Sequence, residues 1–493
     1  MTGATDYLNL QARLQPQRLA AGDLTAGRAW SYGEFDLAAG RFAAALRERG
    51  VGAGDRVAVL AKNRVEIVLL HIACARLGAI LVPLNWRLAA GELAALVADA
   101  EPHLVLGDAL LGAAGLDGLD IEDFAAAAEQ LDPLPARAID EDAPSLILYT
   151  SGTSGRPKGV LLSERNIWQT GLNFSLLGRV THESVVLCDS PMFHVIGLVT
   201  NIRPVLMRGG AFLVSDGFVP ARTLARLADP ALGVTHYFCV PQMSAMLRAD
   251  PAFDPAKLQK LTAIFSGGAP LAADAISAWA QDGVAMANGF GMTENGTLTC
   301  MPLELPIILE NPGAAGVAPP GVELRVVDEA GEACPPGVAG ELLVKGPNQS
   351  AGYWRRPADT AAAFTADGWF RSGDIARLDA NGLLWLVDRK KDMFISGGEN
   401  VYPAEIEGAL AAFPGLAECA VIGIPDERWG EVGHLIVVPQ AEREIAEEEV
   451  RAYLEPRLAR YKLPKYVSVM EALPRNGAGK LVKARLREMV VRK

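Results

Sequence analysis

The sequence predicts an α/β protein: a large N-terminal domain of parallel-rich sheets flanked by helices, with a β-rich subdomain, and then a small α+β C-terminal domain. Three observations carry this. Short apolar, β-branched runs alternate with helical patterns up to residue 268, as parallel sheets covered by helices require. Half the residues are hydrophobic and only 6% aromatic, so the core is built mainly from Ala, Val, Leu and Ile, which suits close helix–sheet contacts. After about residue 315 the strands shorten between Gly/Pro turns, and beyond "VDRKKD" (387–392) the pattern becomes that of a compact α+β unit.

The elements follow in order. "SYGEF" (31–35) places Ser31 three residues before Glu34, a capping box. Phe35, Ala38, Ala39, Phe42, Ala45 and Leu46 then recur at helical spacing until Gly50. "DRVAVL" (55–60) is a buried strand, 65–77 a helix, and "AILVPLN" (79–85), "HLVLGD" (103–108) and "SLILYT" (145–150) are further strands. The alanine-rich stretch 109–136 reads as a loose surface segment. Strands continue at "SVVLCDS" (184–190), "AFLVS" (211–215), "HYFCV" (236–240) and "AIFSGG" (263–268). "VELRVVD" (322–328) and "GELLVKG" (340–346) belong to the β-rich part. The tail holds a helix over 404–413, strands at 419–425 and 434–440, a charged helix near 445–459 and a terminal helix after Lys480. The charge cluster at 387–392 is the natural boundary, giving domains 1–389 and 390–493.

A chain of 493 residues with formal charge −12 offers no basic stripe for a nucleic-acid backbone. The six cysteines are scattered, without C-x-x-C pairs or metal-spaced histidines, as in a reducing cytoplasm. The N-terminus lacks an apolar targeting core, and the longest apolar stretch, Val65 to Pro83, is broken by His71, Arg76 and Gly78. The expectation is a soluble cytoplasmic protein with no membrane span; a homodimer is left open.

Chemistry enters at "LYTSGTSGRPKGV" (148–160). After a buried strand, glycines, hydroxyls and a lysine form either a concave anion-binding turn, phosphate being the first candidate, or an ordinary Ser/Gly loop with a surface lysine. It is not a Walker A loop, because Gly152 and Gly155 are too close and Gly159 follows Lys158. "GFGMTE" (289–294) is not a dinucleotide fingerprint, and no G-x-S-x-G elbow is present.

Four stretches in order are more specific: "YTSGTSGRPKGV" (149–160), "NGFGMTEN" (288–295), "GWFRSGD…VDRKKDMFISGGENVYPAEIE" (368–407) and "PRNGAGKL" (474–481). With them the chain resembles, over nearly its whole length, the adenylate-forming (ANL) superfamily, the AMP-dependent synthetases and ligases that include acyl-CoA synthetases. The resemblance implies ATP, Mg²⁺ and coenzyme A as cofactors and a small carboxylic acid as substrate. It makes Thr150, Ser151, Gly152, Thr153, Ser154, Gly155 and Lys158 the mobile loop over the β- and γ-phosphates. It sets Gly267, Gly268 and Ala269, with Asn288, Gly289, Phe290 and Gly291, around the adenine. Thr293 and Glu294 would meet phosphate oxygen and Mg²⁺, a hard cation that needs only one protein carboxylate. Asp374 would accept the ribose hydroxyls, with Arg389 beside it, and Lys391 would be the hinge.

Lys480 would bridge the acid's carboxylate and the α-phosphate, two anions that repel. In the second step the C-terminal domain rotates, Lys480 withdraws, and the "SGGEN" turn with Gly397 and Gly398 admits a pantetheine arm. "SPMFHVIGL" (190–198) resembles the start of the acid pocket, with His194 near the carboxylate or the thiol's route. Val195, Val199, Cys239, Val240, Ser266, Gly268 and Gly291 line a pocket suited to an aromatic or medium-chain acid. Arg203 reads either as a second-carboxylate contact or as a structural arginine. Asn295 and Gly296 depart from the family's usual Thr/Ala/Ser at the pocket mouth. The implied activity is an AMP-forming acid–thiol ligase. The alternatives are an adenylating amide synthetase with an amine acceptor, and a non-catalytic nucleotide or acyl binder, against which Lys480 and Glu294 speak.

Overall fold

Ser31 starts the helix Tyr32–Glu48 by the capping box its spacing predicts: its hydroxyl caps Glu34 N–H, and its own N–H donates to the Glu34 carboxylate at 2.8 Å. The computed structural model describes residues 6–150, 157–268, 271–396, 399–441, 443–475 and 481–491. They form two compact units, one of residues 1–323 and 345–370, the other of 324–344 and 371–493.

Two large sheets make up the first unit. Among the described residues, one has eight strands in the spatial order Gly296–Cys300, Met286–Met292, Ala263–Ser266, His236–Cys239, Val185–Cys188, Ala211–Val214, Leu19–Asp23 and Arg28–Ser31. The other has seven: Gly352–Tyr353, Lys158–Ser163, Pro144–Thr150, Ile80–Pro83, Arg56–Leu60, Leu104–Gly107 and Leu119–Asp120. Their interior pairs are parallel, as expected. The edges differ. Pro144–Thr150 pairs antiparallel with Lys158–Ser163, a strand not anticipated, and Met286–Met292 pairs antiparallel with Gly296–Cys300. Connections this short cannot make the crossover that parallel pairing needs, so each pair is a hairpin. Both candidate phosphate-site motifs therefore sit at hairpin connections.

The helix Val65–Leu77 is buried along most of its length and ends at Gly78 in the left-handed conformation, φ 72°. The stretch 109–136 corrects the sequence reading. It holds the helices Leu110–Ala114 and Ile121–Glu129. Asp120 caps the second, which buries Ile121, Phe124, Ala125 and Ala128; Phe124 meets the edge of Phe42 at 5.4 Å. The alanines allow that close approach instead of marking a loose coil.

In the second unit, a four-stranded sheet runs in the order Glu323–Val327, Gly340–Lys345, Phe370–Leu378, Leu384–Arg389. A second sheet is built on the long hairpin of Leu416–Asp426 and Gly430–Pro439, joined by Phe394–Ser396, Glu399–Val401 and a parallel Tyr466–Val469. Phe394, Ile406, Leu410, Val421, Leu435 and Leu454 fill the core between this sheet and the helices Pro403–Ala409 and Glu447–Leu454. The latter stops earlier than its charge pattern suggested, because Glu455 precedes Pro456 and the residue before proline disfavours continued helix. The terminal helix is Lys483–Val491. Among the described residues no helix is long and apolar enough to cross a membrane.

Candidate active site

In the first unit, Thr150 ends one strand and Lys158 begins the next; they are register partners, and Thr150 Oγ1 donates to Lys158 O at 3.4 Å. Lys158 Nζ lies 2.5 Å from Asp359 Oδ1 and 5.1 Å from the centre of the Tyr353 ring. The Tyr353 hydroxyl donates to Glu294 Oε1 at 2.9 Å. Burial and the adjacent Glu294 carboxylate hold that phenol far above the usual tyrosine range, so it stays a donor. Thr293 and Glu294 sit in the turn between Met286–Met292 and Gly296–Cys300. The backbone of this turn is held by two contacts: Ser350 N–H donates to Glu294 O at 2.7 Å, and Asn348 Nδ2 to Asn295 O at 2.6 Å. Two motifs remote in sequence thus meet through a third segment, 348–360, that carried no recognised motif. Ser151, Gly152, Thr153, Ser154, Gly155 and Ala269 lie outside the described residues.

Gly267 and Gly268 follow the strand Ala263–Ser266, beside Asn288–Gly291 on the neighbouring strand. Asn288 Nδ2 donates to Ala314 O at 3.0 Å, and the Phe290 ring is only 8% exposed. Gly296 has φ +58°, and a Cβ there would collide with Thr170, so only glycine fits this departure from the family pattern.

The segment leading to His194 is folded tightly. His194 N–H donates to Pro191 O at 3.1 Å, and the ring of Phe193 packs 4.5 Å from that of His194. A Cβ at Gly197 would run into the Pro191 carbonyl, and Ile196–Thr200 continues as a π-helical turn, a form that is common at functional sites. Asn63, 6% exposed, grips this segment from the neighbouring sheet: Nδ2 donates to Ser190 O at 2.8 Å, and Met192 N–H donates to Oδ1 at 2.9 Å. Sequence reasoning missed Asn63, Tyr353 and Asp359. The only signal for Asn63 was its place in the turn between the strand Arg56–Leu60 and the helix that begins at Val65.

Arg203 resolves as a structural arginine: it pairs with Glu164 at 3.0 Å, and the same carboxylate oxygen accepts from Ser145 Oγ at 2.7 Å. Cys239, Val199 and Ser266 are buried. Val240 N-caps the helix Pro241–Ala249, Val195 directly precedes the π-helical turn, and Gly291 lies on the strand Met286–Met292.

In the second unit, Asp374 and Arg389 are register partners on adjacent strands. Arg389 Nε donates to Asp374 Oδ1 at 2.7 Å, and Asp374 is only 4% exposed. Lys391 is an exposed residue in the turn between Leu384–Arg389 and Phe394–Ser396. Its neighbourhood is anchored: Asp388 Oδ2 accepts from Ala404 N–H at 2.8 Å, and Arg487 reaches Asp392 at 3.5 Å. Burial holds the Asp388 carboxyl above the usual aspartate range, with the Lys483 charge opposing the shift without cancelling it. Gly397, Gly398 and Lys480 lie outside the described residues.

Among the described residues no group of three or more His, Cys, Asp or Glu could hold a metal ion. A Mg²⁺ held otherwise by water and phosphate oxygens needs one protein carboxylate, and Glu294 is the residue here that could supply it. The hydrogen bond from the Tyr353 hydroxyl to Oε1 fixes the plane of the Glu294 carboxylate.

The family model described as AMP-binding enzyme matches residues 8–354, and the AMP-binding enzyme C-terminal domain matches 405–480. The chain is 38% identical over 484 residues to a feruloyl-CoA synthase from an Amycolatopsis species, covering 97% of each. It is 36% identical over 507 residues to the indoleacetate–CoA ligase of Aromatoleum aromaticum, covering 99% of this chain and 98% of that one. Its structure matches the o-succinylbenzoate coenzyme A synthetase of Bacillus subtilis in complex with ATP and magnesium ion. The TM-score is 0.87 at 29% identity, over 98% of this chain and 100% of that one.

Proposed function

The chain belongs to the AMP-binding enzyme family, among the AMP-forming CoA ligases, and from that premise we propose that it activates an aromatic or medium-chain carboxylic acid and passes the acyl group to coenzyme A. The observation that carries this reading is the cluster in which Lys158 and Glu294 stand either side of Tyr353, a cation and an anion set for a polyphosphate and its metal. The aromatic class is favoured by the feruloyl and indoleacetate relatives, whose acids are both aromatic. The free thiols of all six cysteines support a cytoplasmic setting.

In the first step a carboxylate oxygen attacks the α-phosphorus, the bond to the bridging β-phosphate oxygen breaks, and pyrophosphate leaves an acyl-adenylate. Lys158 and the 151–155 loop hold the β- and γ-phosphates, and Asp374 with Arg389 receives the ribose. Mg²⁺, bound through Glu294, would supply charge neutralisation at the phosphates. Lys480 lowers the repulsion between the two anions. In the second step the thiol sulfur attacks the acyl carbonyl, AMP departs and one proton is released. Rotation of residues 390–493 about Lys391 would withdraw Lys480 and bring in the 396–400 stretch, and it requires the Asp388–Ala404 hydrogen bond that spans the pivot to break.

Incubation with ATP, Mg²⁺ and a panel of acids is expected to release pyrophosphate and form AMP, with thioester appearing on addition of CoA. Lys480→Ala should lower adenylation on the order of 10²–10³-fold while sparing thioester formation from supplied acyl-adenylate. Equal loss of both steps would refute the separation of roles.

A further inference from the structure

We propose that Tyr353 is a positioning residue that sets both charges of the phosphate site: its hydroxyl orients the Glu294 carboxylate toward the divalent cation, and its ring supports the Lys158 ammonium. The proposal rests on Glu294 and Lys158 meeting Mg²⁺ and phosphate as described above.

A glutamate carboxylate can turn about its terminal bond and present either oxygen. Here Oε1 accepts from the Tyr353 hydroxyl at 2.9 Å, which stops that rotation and fixes the direction in which the remaining lone pairs point. The ring of the same residue lies 5.1 Å from Lys158 Nζ, within the range of a cation–π contact. Tyr353 is itself rigidly held. Gly352 and Tyr353 pair antiparallel with Leu161 and Val160, on the strand that Lys158 begins. Tyr353 N–H donates to Thr360 Oγ1 at 3.0 Å, and Trp354 N–H to Gly159 O at 2.7 Å. The helix Pro357–Ala363, which follows directly, carries Asp359, the carboxylate that pairs with Lys158. Tyr353 is thus registered against the Lys158 strand by backbone pairing, while its side chain spans to the Glu294 turn. A hydrophobic residue there would fill the space but leave the carboxylate free to rotate.

Tyr353→Phe keeps the ring and removes only the hydroxyl. Calorimetric titration of ATP is made at a series of Mg²⁺ concentrations, on the full chain, beside Glu294→Gln and the double variant. Tyr353→Phe is expected to raise the Mg²⁺ concentration giving half-maximal ATP affinity about 10-fold, as loss of a charge-assisted hydrogen bond does. Its affinity for ATP without metal and its KM for the acid should stay within about 2-fold of the parent. The double variant should be no weaker than Glu294→Gln alone. If Glu294→Gln shifts the Mg²⁺ dependence and Tyr353→Phe does not, or if the two effects add, the positioning role is overturned while the Glu294 reading stands. If neither shifts it, the Glu294 reading itself falls and the proposal with it. Tyr353→Leu, which also removes the ring, is expected to weaken metal-free ATP binding where Tyr353→Phe does not; equal affinities would refute the ring's part.

Discussion

Replacing Asn63 by alanine deletes the two hydrogen bonds that clamp the 190–192 backbone, those to Ser190 O at 2.8 Å and from Met192 N–H at 2.9 Å. Ser190 is 4% and Met192 1% exposed, so neither freed group reaches water where it stands. Met192 N–H is left unsatisfied at a cost of about 1–3 kcal/mol, while Ser190 O keeps the weak Cys188 Sγ–H donor at 3.6 Å, so holding the native segment would cost roughly 2–4 kcal/mol. The segment will instead shift until solvent reaches those groups, and His194, two residues on, moves with it. If the native geometry then lies only about 2 kcal/mol above the relaxed one, acid binding weakens about 30-fold. The residues proposed to meet the nucleotide belong to other segments, so ATP binding should be spared. The assay is steady-state pyrophosphate release, with the acid varied at saturating ATP and then ATP varied at saturating acid. The expected split is an acid KM raised at least about 10-fold with ATP KM within about 2-fold. Parallel rises in both, or a fall in thermal stability with an unchanged acid KM, would reduce Asn63 to a purely structural role.

Two further outcomes concern stability. Gly296→Ala places a methyl group against Thr170 at φ +58°; overpacking and left-handed strain together should cost about 2–5 kcal/mol and lower the melting temperature by roughly 2–7 °C in a chain of this size. A shift under about 1 °C would show that the hairpin relaxes freely. Burial lowers His236 from the ordinary 6.5 to about 4, with its Nε2 hydrogen bond to Gly178 O at 2.8 Å acting weakly the other way. The folded chain therefore keeps this ring neutral where the unfolded chain binds a proton, so stability is full above about pH 6.5 and falls towards pH 4. The shift corresponds to about 3 kcal/mol at most. Urea midpoints between these pH values should fall less steeply for His236→Asn than for the parent, while His71, also pushed down by burial, retains its share of the slope. An unchanged slope would remove His236 from the account.

What the chain settled by itself is local. The Ser31–Glu34 box, the helix Val65–Leu77 and its Gly78 stop, and the apolar strands of the first unit depend on neighbours a few residues away, so spacing and side-chain type suffice to read them. The motif stretches were legible for the same reason: glycines, hydroxyls and charges stand in fixed local order. The partners were not. Lys158 meets Asp359 201 residues on, Tyr353 meets Glu294 across 59, and Asn63 meets Ser190 across 127. The helix Ile121–Glu129 was mistaken because alanines are informative only beside the helix they pack against. These contacts exist because sheet order and antiparallel edge hairpins bring separate segments to one place. No periodicity within a segment encodes which strand will lie beside it; the pairing is set by burial of both sheet faces and closure of the chain between them.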